Sequence, residues 1–137
     1  MTGTLVDSGF LVATFRHRDR LNLAAQAYLA EHPHQLITVA PVIVEACFFL
    51  DAQQKRKLLE WVRRGGLEVA EWPVSAYAQV DAIIAKYADR KIDIVDATLI
   101  WLAINTGSQS ILTVDEKDFS VYRLGAGKHF NLIEWRH

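Results

Sequence analysis

Cysteine occurs once in this chain, at Cys47 inside an apolar run, so no internal disulfide can staple the fold. That fits a reducing compartment and makes Cys47 a core candidate. An excess of either charge is also missing: 15 Lys and Arg stand against 16 Asp and Glu, a formal net charge of −1. A nucleic-acid partner would therefore have to be held locally rather than drawn in by a global field. No apolar run reaches the roughly 18 residues that span a bilayer. The N-terminus, MTGTLVDSGFLVATF, lacks a basic leader and a small-residue cleavage site, so the reading is a soluble cytoplasmic protein. Repeats and low-complexity tracts are absent, and no Cys or His spacing resembles a zinc site. His32 and His34 flank a proline and His17, His129 and His137 are isolated, so all five read as surface residues.

What is present is enough for one domain over residues 1–137, a length that buries roughly two-thirds of its unfolded surface without staples. Short β-prone runs alternate with helical patterns. Strands are expected at Thr4 to Val6, Leu36 to Ala40, Leu67 to Trp72, Ser110 to Val114 and Phe130 to Trp135. Between them lie a short helix in FLVATF, a helix capped by Asp19 from Arg20 to about Glu31, and one opened by Pro41 in PVIVEACFFL. Asp51 and Gln54 form a capping box before a helix that turns Leu58, Leu59 and Val62 inward. A further helix from about Ser75 to Ala88 carries a stripe of Tyr77, Val80, Ile84 and Tyr87. Strands separated by helices make an α/β three-layer sandwich with a parallel sheet, whose functional edge lies beyond the strand C-termini where strand order reverses.

The segment KIDIVDATLIWLAINT, Lys91 to Thr106, poses the sharpest chemical question. From Ile94 to Ile104 it holds only Asp96 and Thr98 as polar residues, so it is apolar all round and reads as a buried helix. A carboxylate carried inward on it needs a cation, a hydrogen-bond donor or a proton to offset its lost hydration. Asp93, one turn earlier, reads as the N-cap. Three other acids stand out from polar surroundings: Asp7 and Asp115 end buried strands, and Glu45 is the only charge in its apolar helix. Four carboxylates converging without cations would raise one another's pKa. A hard divalent ion, Mg²⁺ or Mn²⁺, resolves this, and such ions typically act on phosphates.

LVDS near the N-terminus, Glu45 in VIVEAC, the IDIVDATLIWLA helix and ILTVDEKDF together resemble the PIN-domain ribonucleases, in particular the toxin component of bacterial VapBC toxin–antitoxin pairs. The resemblance spans nearly the whole chain. It implies a five-stranded parallel sheet in the order 3-2-1-4-5. It also implies Asp7, Glu45, Asp96 and Asp115 as the acidic catalytic and metal-binding set, Asp7 and Asp96 foremost as direct metal ligands, with Asp93, Asp118, Ser8 and Thr113 as accessory residues. An Mg²⁺- or Mn²⁺-dependent endoribonuclease is expected, commonly a homodimer and inhibited by a cognate antitoxin protein. Ser8 is open between capping a helix and bonding a carboxylate or phosphate, and Thr113 between orienting Asp115 and merely suiting a strand. Arg16, Arg18, Arg20 and Lys117 are candidate RNA contacts.

Other chemistries fit less well. A haloacid-dehalogenase-like phosphatase needs a second Asp two residues after the first, where Gly9 stands, and a receiver domain needs paired acids after its first strand. A catalytically silent PIN-fold scaffold predicts erosion of the acidic set, yet all four acids are present.

Overall fold

In a computed structural model, which describes residues 3–136, seven α-helices and five strands build the α/β three-layer sandwich. In chain order they are β1 (Thr4–Val6), α1 (Ser8–Phe15), α2 (Asn22–Glu31), β2 (Leu36–Val39), α3 (Ala40–Cys47), α4 (Ala52–Arg63), β3 (Glu68–Ala70), α5 (Tyr77–Lys86), α6 (Ile94–Thr106), β4 (Ser110–Leu112), α7 (Glu116–Phe119) and β5 (Asn131–Leu132). Every strand pair is parallel, in the order β3-β2-β1-β4-β5.

β1 lies at the centre of the sheet and is buried along its length, as befits a short β-prone run with a strand on either side. Chain order reverses beside it: β2 follows on one side, while β4 pairs on the other with Leu5 opposite Ile111 and Val6 opposite Leu112. The crevice between the ends of β1 and β4 is therefore the topological switch point.

Around the sheet, α1 packs against α2, α3 and α4, while α6 packs against α5, α3 and β2. The middle of α6, Ala97 to Ala103, is buried without interruption, and its two ends emerge at Ile94 and Ile104. Gly107 closes α6 with a positive φ of 77°, the left-handed cap conformation that favours glycine.

Several elements are shorter than the pattern suggests. β3 stops at Ala70 and β5 at Leu132, because edge strands lose ladder partners on one side and end where the chain turns away. β2 yields to α3 at Ala40. Asp19 does not cap α2: its carboxylate accepts the Leu21 N–H at 2.9 Å, forming a local turn, and α2 begins at Asn22. Leu59 is 53% exposed rather than inward, since Leu58 alone on α4 is fully buried and Trp61 takes the adjoining space against Phe15. Tyr77 is also exposed, stacked on Trp72 at 4.7 Å. Cys47 is a half-buried free thiol. His17, His32, His34 and His129 are exposed as expected, and His137 lies outside the described residues.

Candidate functional site

Beyond the carboxyl ends of β1 and β4 lies an open cleft of about 530 Å³. Its walls carry Asp7, Asp19, Glu45, Asp93, Asp96 and Asp115, against only two basic residues, Arg16 and Arg20. All four acids of the expected set are thus brought together, and Asp93 joins them. Arg18 and Lys117 are exposed outside the cleft lining.

Each carboxylate is held by the local structure that produced it. Asp7 leaves β1 and caps α1, accepting the Ser8 N–H at 2.7 Å on Oδ1, while its Oδ2 accepts the Thr113 hydroxyl at 2.8 Å. That same hydroxyl oxygen accepts the Asp115 N–H at 2.9 Å. Thr113 therefore ties the Asp7 side chain to the Asp115 backbone across the switch point, a wider role than orienting Asp115 alone. Its own carbonyl accepts the indole N–H of buried Trp135 at 3.1 Å. The Ser8 hydroxyl donates to Glu45 Oε1 at 2.5 Å, joining α1 to α3. Ser8 is thus a carboxylate-bonding residue. Gly9 permits the close approach of α1 to the far wall, since a Cβ there would sit 2.3 Å from Val114 Cγ2.

Asp93 caps α6 by accepting the Asp96 N–H at 2.8 Å, and Asp115 caps α7 by accepting the Asp118 N–H at 3.1 Å. Asp96, Asp115 and Asp118 each offer an oxygen within 4.8 Å of the others, the group among the described residues best able to hold a cation. Two partners here had no signature in the residue pattern. Tyr122 donates its hydroxyl to Asp96 Oδ2 at 2.8 Å, and Arg90 pairs with Asp118 Oδ1 at 2.9 Å. The only forewarning was general: a buried tyrosine needs an acceptor, as a buried Asp96 needs a donor.

The electrostatics express the crowding. Burial pushes Asp7 up to about 6, with Glu45 and Asp115 adding to the rise against the hydrogen bonds from Thr113 and Ser8. Asp96 is pushed up to about 8, first by burial, then by the Asp7 charge, with Asp93 and Asp115 contributing and the Tyr122 hydroxyl opposing. Asp115 is also raised, chiefly by burial. An all-oxygen, anionic donor set with its carboxyls displaced toward the protonated form fits a hard divalent cation, which would restore the charged forms.

Comparisons with known proteins agree with this architecture. A family model described as PIN domain matches residues 4–124. Ribonuclease VapC26 of Mycobacterium tuberculosis is 27% identical over 134 residues, covering 94% of this chain and 98% of that protein. The crystal structure of M. tuberculosis VapC20, described as a Sarcin-Ricin loop cleaving toxin, superposes with a TM-score of 0.73 at 17% identity, covering 88% of this chain and 97% of the other.

Proposed function

The chain belongs to the PIN-domain family, and from that premise we propose that it is a divalent-metal-dependent endoribonuclease, the toxin of a type II toxin–antitoxin pair. It acts on RNA in the cytoplasm, as a homodimer restrained by a cognate antitoxin. The observation that carries this reading is the convergence of Asp7, Glu45, Asp93, Asp96 and Asp115 in one cleft at the switch point of the sheet. Its similarity to ribonuclease VapC26 supports the choice of RNA over other phosphodiesters.

Asp96 and Asp115 are assigned as metal ligands, with Asp118 beside them and Asp7 and Glu45 as the further acids of the catalytic set. When bound, Mg²⁺ or Mn²⁺ would neutralise phosphate charge and supply the activation of water that phosphodiester hydrolysis needs. The chain's own residues set the stage. Thr113 and Ser8 keep the Asp7 and Glu45 carboxylates in place. Arg16 and Arg20, on the cleft wall, draw the RNA backbone toward an otherwise anionic site, with Arg18 and Lys117 as outer contacts. Water adds to phosphorus and one bridging P–O bond breaks, with no nucleophilic side chain involved. Phe49, which lines the cleft, and its neighbour Phe48 are 58% and 80% exposed, an apolar rim suited to an antitoxin that covers the acids.

The test is cleavage of a panel of structured RNAs by protein of mass established by light scattering, in Mg²⁺, Mn²⁺ or EDTA, with Asp96→Asn alongside. Metal-dependent cutting that falls by at least a hundredfold in the variant, with unchanged folding, is expected. Equal cutting by the variant, or cutting that survives EDTA, would refute the assignment.

A further inference from the structure

We propose that Tyr122 is a positioning residue that aims the Asp96 carboxylate at the metal, a role resting on the metal-dependent reading of the site. Its hydroxyl donates to Asp96 Oδ2 at 2.8 Å. Oδ1 carries no hydrogen bond among the described residues and remains free for a cation. A carboxylate with one oxygen pinned loses most of its rotational freedom about the last side-chain bond, so the other oxygen is presented in one direction.

The pin itself is rigid. Tyr122 is only 2% exposed, with its ring edge-on to Phe119 at 5.2 Å and to Tyr87 at 5.1 Å. Tyr87 in turn accepts the Arg123 N–H on its hydroxyl at 2.7 Å, locking the residue after Tyr122. The turn carrying Tyr122 is continuous with α7, since the Tyr122 and Val121 N–H groups both donate to the Asp118 carbonyl. One short unit therefore supplies Asp115 and Asp118 and also reaches across to grip Asp96 on α6. Of the three carboxylates able to share a cation, two belong to this unit and the third is tied to it. The spacing between α6 and α7 is thereby set at the ligands themselves.

Tyr122→Phe removes the hydroxyl and keeps the packed ring. Tyr87→Phe removes a hydroxyl from the same aromatic cradle that touches a backbone N–H and no carboxylate. Mn²⁺ titration of the full chain by calorimetry, with the EPR spectrum of the bound ion, reads the effect without RNA cleavage. Tyr122→Phe is expected to weaken Mn²⁺ binding by about tenfold or more and to alter the spectrum, while Tyr87→Phe leaves both within twofold of the parent. Parent-like binding and spectrum in Tyr122→Phe would overturn the role of Tyr122 alone. Equal losses in both variants would reduce Tyr122 to a packing residue, and absence of Mn²⁺ binding by the parent would overturn the metal reading together with this one.

Discussion

Thr113 shows how much one hydroxyl can organise. It donates to a carboxylate that is 5% exposed and accepts the backbone N–H that starts the Asp115 cap, so its removal strands two polar groups at once. Thr113→Val keeps the shape and the β preference while deleting both bonds. It is expected to destabilise the protein by about 2 kcal/mol, measured as a lower urea midpoint with unchanged slope, and to impair cleavage. An unchanged midpoint would mean that Asp7 finds another donor. In the sequence Thr113 stands two positions before Asp115, open between orienting that acid and merely suiting a strand. Its bond to Asp7, 106 positions away, depends on β1 and β4 being neighbours.

At the scale of elements, α1, α6 and α7 share one device: each is capped by an aspartate that also faces the cleft. An aspartate before a helix is a common local signal, and Asp7 and Asp115 cap helices here just as Asp93 does. Capping and site formation coincide because the sheet delivers these helix starts to one edge. The approach of α1 to the opposite wall is close, and Gly9 is what allows it. Gly9→Ala drives a methyl group into Val114 and is expected to cost about 1 to 3 kcal/mol by overpacking, read in thermal or urea unfolding. The same variant should displace the start of α1, where Asp7 and Ser8 sit, and so lower activity. Stability equal to the parent would show that Val114 can rotate aside. The α5 stripe correctly marked Val80 and Tyr87, whereas Tyr77, the first residue of the helix, is exposed and stacks on Trp72.

For the whole molecule, the crowded carboxylates make stability depend on pH with an unusual sign. Asp7 and Asp96 bind protons more tightly folded than unfolded, rising from 3.8 to about 6 and about 8. Their contribution is therefore fully present below about pH 4 and is lost as pH climbs through 6 and then 8. Glu60 is shifted the other way by Arg63 and Arg64, but it is surface-exposed and solvent screens it. The metal-free protein is expected to show a falling Tm from about pH 4 to pH 8, and saturating Mn²⁺ should recover most of the loss. A Tm that rises across this interval in EDTA would contradict the crowding. No helix among the described residues is long and apolar enough to cross a membrane.

The sequence by itself determined which segments become helices and strands, through period, caps and breakers, and which acids stand apart from polar surroundings. It also determined that Asp96, on a helix apolar all round, must find a partner. Those are consequences of local spacing and of the cost of desolvating charge. Only the tertiary structure decided who the partners are. That Tyr122 rather than a backbone donor meets Asp96, that Arg90 takes Asp118, and that Ser8 reaches Glu45 follow from packing between distant elements. The same holds for exposure: Leu58 and Leu59 carry identical side chains on adjacent positions, and only the way α4 lies on α1 buries one and leaves the other in water.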